Sequence, residues 1–328
     1  MKLLNKTDWW KTLKWLLLPV FLVILYLQLT RLHQKPDLLD RLYLIFWGNN
    51  LWAVALVIPM LTFFNYAFEA AKWRILVRPV EKRQYVDALM DVLIGILFSI
   101  LTPARLGELA GRVVKLRMGN KLVGAASSLA GSIGQNIIIL FCGSIGFVYF
   151  LMFQGDLESW SALGALFMAL SLTGIMIFLF FNLYLLVPFV KRIPLPRRWR
   201  QLTEKLDALK EYSNFDLAKV LILSLARIFV WTAQYLLILW ILEPGFDLSL
   251  GIAISWMVFL LQTGIPLPPI SSLVARSSIA IFMWSNLGIS EWNALAASFV
   301  IYFYNLIIPS AIGLFVIYFN KKSVNANT

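Results

Sequence analysis

Apolar residues run through this chain in long blocks, separated by short polar clusters rather than alternating with them. Crossing a hydrocarbon layer takes about 20 residues, and eight stretches approach or exceed that length: 15–31, 50–68, 85–101, 133–152, 163–189, 217–242, 249–265 and 294–319. Backbone groups in lipid must be satisfied within their own segment, so each stretch is expected to be a helix. The short alternating strands of a β-barrel are absent from the pattern. Lys2, Lys6, Lys11 and Lys14 precede the first stretch, but no small-residue cleavage site follows it. It therefore reads as a retained span. The expected fold class is an all-α integral membrane protein of about eight transmembrane helices.

Two further apolar segments, 103–118 and 268–284, each begin at proline directly after a span, in Thr102-Pro103-Ala104-Arg105-Leu106-Gly107-Glu108 and Pro266-Leu267-Pro268-Pro269-Ile270-Ser271-Ser272. Proline starts a helix readily and breaks one internally, so each reads as a half-helix restarting after a break. Irregular backbone at membrane depth survives only where protein or a water-filled cavity covers it, and such breaks point to a transporter's binding site. Pro103 and Pro268 lie 165 residues apart, and that shift sets 50–68 on 215–233, 85–101 on 250–266 and 133–152 on 298–317. The spacing predicts one transmembrane domain over 1–328. It would have two parallel four-helix halves, about 1–160 and 161–320, each with a broken, re-entrant hairpin.

The polar linker at 190–215 contains Lys191-Arg192-Ile193-Pro194-Leu195-Pro196-Arg197-Arg198-Trp199-Arg200, with Leu202, Leu206 and Leu209 at helical spacing. It is expected to be an amphipathic helix lying on a charged leaflet. Lysines before the first span, five basic residues in a loop at 72–83, and Lys321-Lys322 all favour cytoplasmic termini. The 191–210 cluster then falls on the opposite side.

Composition narrows the chemistry. The chain is 60% hydrophobic with mean hydropathy +0.77, and 29 Lys and Arg against 17 Asp and Glu leave +12. Among so many apolar runs, that excess suits anionic lipid head groups better than nucleic acid. A single Cys142 and a single His33 argue against disulfide frameworks and Cys/His metal sites. No metal or cofactor is expected. Walker, dinucleotide, zincin and nucleophile-elbow motifs are missing, so the chain reads as no enzyme, and any transport as passive or driven by an ion gradient.

Arg105, Glu108 and Arg112 recur at i, i+3 and i+7, one helix face on which the acid can pair with either arginine. Charge at membrane depth is costly and marks a functional cavity by default, and arginine forks beside a half-helix start suit a phosphate. Arg276 is the only ionisable residue between Asp247 and Glu291, and a shift of 165 brings it to position 111, beside Arg112. Arg227, eleven residues into its span from Asp216, is too deep to snorkel easily. Asp91, Gln135, Asn136, Gln234, Gln262 and Asn305 read more readily as bridges between helices than as ligand contacts. Gly124, Ser128 and Ser132, and Gly107-x-x-x-Gly111, are packing stripes. Trp9, Trp10, Trp47, Trp52, Trp73 and Trp292 sit near span ends, as interfacial belts do.

The run Thr102-Pro103-Ala104-Arg105-Leu106-Gly107-Glu108-Leu109-Ala110-Gly111-Arg112, with the earlier Lys72-Trp73-Arg74, resembles the flippase-like family. This is the transmembrane region of bacterial lysylphosphatidylglycerol synthases, found also as stand-alone proteins of about this length. Pro103, Arg105, Gly107, Glu108 and Arg112 match its pattern, while Gly134-Gln135-Asn136 and the Pro268-Pro269 region depart from it. The resemblance implies a multi-pass protein of the bacterial cytoplasmic membrane. It would move a charged phospholipid or polyprenyl-linked lipid between leaflets, and it would not make the lipid itself. Arg105, Glu108, Arg112, Arg227 and Arg276 are the expected substrate contacts, and Pro103, Gly107, Pro268 and Pro269 the structural ones. Expected partners are an anionic or aminoacylated lipid and, among proteins, a second copy or a lipid-synthesising enzyme. The alternative is a non-transporting partner that presents lipid to a glycosyltransferase or synthase.

Overall fold

The computed structural model describes residues 36–48, 52–100, 102, 106–154, 159–183, 207, 210–263 and 269–319. The expected span at 15–31, the basic linker up to 206, Pro103, Arg105, Pro268 and Lys321-Lys322 lie outside the described residues.

All of the described elements are helical. In chain order they are α1 (Pro36–Trp47), a π-helical segment π1 (Ala53–Val57) that runs into α2 (Ile58–Val77), α3 (Tyr85–Ile100), α4 (Leu106–Arg112) and α5 (Lys121–Gln154). Then follow α6 (Ser159–Phe181), α7 (Asn214–Leu242), α8 (Leu248–Thr263), α9 (Pro269–Ser285), α10 (Glu291–Tyr302), a second π-helical segment π2 (Phe303–Ile307) and α11 (Ile308–Phe319). Five helical runs are long and apolar enough to cross a membrane: Ala53–Val77, Met118–Phe153, Leu163–Phe181, Asn214–Leu242 and Glu291–Phe319. The shorter Leu248–Thr263 is also apolar. The chain is a multi-pass membrane protein.

Local chemistry sets the helix starts. Ser213 caps α7 by accepting from the Asp216 N–H at 3.1 Å, and Ser290 caps α10 by accepting from the Asn293 N–H at 3.2 Å. Both are side-chain oxygens satisfying donors that have no partner within the helix. Glu243, just past α7, accepts from the Asn293 side chain at 2.8 Å and ties the two ends together. The turns between α7 and α8 and between α9 and α10 use Gly245 (φ 107°) and Gly288 (φ 72°), where a side chain would be strained.

Several boundaries differ from those expected. α2 runs on to Val77 instead of ending at 68, and α5 starts at Lys121 instead of 133. Lys72 and Arg74, expected in a basic loop at 72–83, are therefore helical, and the connection to α3 covers only residues 78–84. Hydropathy ends a span at its first charges, but the helix continues where those charges find buried partners. The loop that weighs on orientation keeps Arg78, Lys82 and Arg83.

α3 and α4 form a close antiparallel hairpin. A Cβ on Gly107 would lie 2.1 Å from the Phe98 carbonyl oxygen, and one on Gly111 would lie 2.8 Å from both Gly95 Cα and the Ile94 carbonyl oxygen. Thr102 closes the turn, accepting from the Gly107 N–H at 2.6 Å. The Gly107/Gly111 stripe thus lets two backbones touch. On α5, close approach to α8 uses Gly143 and Gly146, which face Leu260 and Ala253. Gly124, expected to belong to a helix-contact stripe on α5, instead meets Leu116 and Val113 of the preceding turn. α7, α8, α9 and α10 share the main apolar core. There Tyr235 stacks on Trp284 with ring centres 5.4 Å apart and its hydroxyl meets Ser298 at 2.6 Å. α6 has few neighbours and leaves Trp160, Phe167, Met168 and Phe178 exposed, as a lipid-facing helix would.

Candidate functional site

Along α2, Thr62, Asn65, Glu69 and Lys72 recur every three or four residues and so share one face. All four are buried, Glu69 being 3% and Lys72 1% exposed. Three cations converge on the Glu69 carboxylate. Lys72 Nζ lies 2.8 Å from Oε2, which Arg227 Nη1 also meets, and Arg112 Nη2 lies 2.7 Å from Oε1. Arg112 comes from the end of α4 and Arg227 from the middle of α7, so one carboxylate binds three helices. Charges removed from water are tolerated only when paired with good geometry.

Neutral side chains complete the group. Gln135 on α5 accepts from Arg227 Nη1 at 3.1 Å and from Lys72 Nζ at 3.3 Å, and donates to the Ser224 carbonyl at 3.2 Å. Arg227 Nε donates to Asn65 Oδ1 at 2.8 Å, and its guanidinium carbon stands 4.8 Å from the centre of the Trp231 ring. Glu108, one turn before Arg112, also pairs with Arg112 Nη2. With three cations against two carboxylates, the group has an excess positive charge. Arg112 is 2% exposed, and its Nε and Nη1 meet no hydrogen-bond acceptor among the described residues. Buried N–H groups without an acceptor are rare and call for a ligand or an unseen partner.

The structure thus brings Glu108, Arg112 and Arg227 together. Arg276 is half-buried on α9, where its backbone carbonyl accepts from Gln262 at 3.1 Å. α9 packs mainly on α8 and α10, and it also meets α7 through Trp284 on Tyr235, two turns along from Arg227. Asn136 is exposed. Glu69, Asn65 and Thr62 were not singled out from the sequence. Their signal was present in the spacing of Asn65, Glu69 and Lys72 over two turns of one helix.

Asp91 has a different role. Arg83 grips both of its oxygens at 2.8 and 3.0 Å, and the Trp73 indole N–H reaches it at 3.3 Å. This clasp fixes the 78–84 connection to α3 and holds Trp73, whose ring centre is 6.0 Å from the Arg112 guanidinium carbon. Asp91→Ala leaves Trp73 without its acceptor and Arg83 with only the looser Glu81 contact at 3.5 Å, and is expected to destabilise by about 3 kcal/mol. A fall in the melting temperature of the detergent-purified protein, with faster proteolysis at 78–84, checks this.

The described residues contain no group of three His, Cys, Asp or Glu side chains able to hold a metal ion. The profile of the lysylphosphatidylglycerol synthase transmembrane region matches residues 9–313. The chain belongs to that family. No curated protein matches the chain. The matched region of the family includes every helix that contributes to the Glu69 group, from α2 to α7, and also π2.

Proposed function

We propose that this family member moves a charged lipid, a phospholipid or a polyprenyl-linked lipid, between the leaflets of a bacterial cytoplasmic membrane. The observation that carries the reading is Arg112, whose Nε and Nη1 are buried without acceptors among the described residues, beside an ionic group of net positive charge. An anionic phosphate supplies the missing acceptors, and arginine is well suited to bind it. Arg112 holds the phosphate with Arg105, while Arg227 and Glu108 keep the group assembled and Glu108 receives a substrate ammonium where one is present. The acyl chains stay in the bilayer. Membership of a family defined by the transmembrane region of a lipid synthase supports lipid handling. Burial of the ionic group counts against a scaffold that meets its partner through surface charges.

Native mass spectrometry of protein extracted with its own lipids tests this. Arg112→Gln is expected to lower retained anionic or aminoacylated lipid about tenfold, the scale of one charge-assisted bond. Identical lipid profiles in the two proteins would sink the reading.

A further inference from the structure

The ionic group continues into an uncharged ladder. Arg227 Nε donates to Asn65 Oδ1 at 2.8 Å, Asn65 Nδ2 to Asn305 Oδ1 at 2.9 Å, and Asn305 Nδ2 to Gln234 Oε1 at 2.9 Å. Gln234 Nε2 then donates to Thr62 Oγ1 at 2.9 Å and to the Ile58 carbonyl at 3.4 Å. Each bond runs in the same sense, with carbonyl oxygens toward the guanidinium and N–H groups away from it, so the cation polarises the whole series. From Lys72 to Thr62 the polar stripe on α2 extends about 15 Å at 1.5 Å per residue, roughly half of a hydrocarbon core.

Adhesion between helices in lipid is achieved with small residues and isolated polar contacts. Here an unbroken series of donors leads out of a charged group instead. It runs toward the place where π2 faces π1, with the Tyr304 hydroxyl 3.3 Å from the Val54 carbonyl. π-helical segments of this kind are concentrated at functional sites. Asn305 lies within π2 and also donates to the Ile301 carbonyl at 3.2 Å, so it keeps a partner if its bond to Gln234 opens.

We propose that the Asn65–Asn305–Gln234–Thr62 ladder is the path along which a lipid phosphate leaves the ionic group, its oxygens taking the amide N–H groups in turn. This rests on the lipid-moving function proposed above. Three cations capture an anion but release it poorly. Neutral amides solvate a phosphate with no charge to hold it, and conduction needs sites that bind weakly enough to let go. Each step exchanges one acceptor for another, which leaves the hydrogen-bond count unchanged.

The test uses phosphatidylcholine vesicles with NBD-labelled phosphatidylglycerol as probe, dithionite bleaching to follow movement between leaflets, and native mass spectrometry to follow phosphatidylglycerol retained by the purified protein. Gln234→Leu and Asn305→Leu are expected to slow movement about tenfold, the scale of one lost hydrogen bond at a barrier, with retained lipid unchanged. A Thr62→Cys/Gln234→Cys pair on a Cys142→Ala background, bridged by a short reducible bis-thiosulfonate, covers leucine variants that fail to fold. Movement, already slowed by the loss of the Gln234 amide, should stop on bridging and return to that slower rate on reduction. Wild-type rates in folded leucine variants, or bridging without effect, overturn the path and leave the capture site standing. Retention and movement falling together also overturn it, by making the ladder part of the capture site. A wild-type protein that neither retains nor moves the probe overturns the path together with the lipid-moving function on which it rests.

Discussion

Glu69→Ala is expected to abolish most of the folded yield. Lys72, Arg112 and Arg227 all neutralise themselves on this carboxylate, and its removal leaves Arg112 paired with Glu108 and, among the described residues, Lys72 and Arg227 with neutral amide acceptors only. Breaking one buried pair by deleting a partner costs about 3–5 kcal/mol, against a typical net stability of about 5–15 kcal/mol. Glu69→Gln keeps the hydrogen-bonding shape without the charge and should fall between wild type and alanine. Adding Arg227→Gln to Glu69→Gln removes a surplus cation and should recover part of the loss. Thermal unfolding of the detergent-purified proteins ranks all four. An alanine variant that melts like wild type would show that the three cations have other acceptors.

Gly111→Val should come close to this in effect. Its Cβ would meet Gly95 Cα and the Ile94 carbonyl at 2.8 Å, contacts with backbone that no rotamer change relieves. Overpacking of this kind costs about 1–3 kcal/mol. It also pushes α4 off α3, and the residue that follows is Arg112, whose reach to Glu69 depends on that contact. Stability and lipid retention should therefore fall together. Gly164→Ala serves as control, because nothing lies within 4 Å of the added Cβ. It should melt at or slightly above the wild-type temperature, in keeping with the better helix propensity of alanine. Retention unchanged in a folded Gly111→Val protein would disconnect the hairpin from the site.

Helix class and membrane character were legible in the sequence because apolar runs of this length have no other stable conformation in lipid. Glu108 and Arg112 were legible from their spacing with Arg105 on one helix face after a proline, and Arg227 because an isolated charge in an apolar run stands out. Glu69 did not stand out, for a physical reason. It lies one position beyond the apolar stretch ending at 68, in a cluster with Lys72 and Arg74 that has the composition of a loop. Only the positions of α4 and α7 show that these charges are neutralised in the interior, and that pairing spans 158 residues of chain between Glu69 and Arg227. Spacing within one helix reveals a shared face, but it cannot reveal what that face meets. The amides Gln135, Gln234 and Asn305 were read as helix bridges, and each does join neighbouring helices.

That long separation has a consequence for how the protein is made. When α2 first reaches the membrane, Glu69 has only Lys72, three residues further on, to neutralise it. An acid and a base at that spacing enter lipid as a pair of no net charge. Arg112 arrives with the next hairpin, while Arg227 follows Glu69 only after 158 residues. The carboxylate thus waits for its last partner while those residues are made, and the arrival of α7 completes the ionic group.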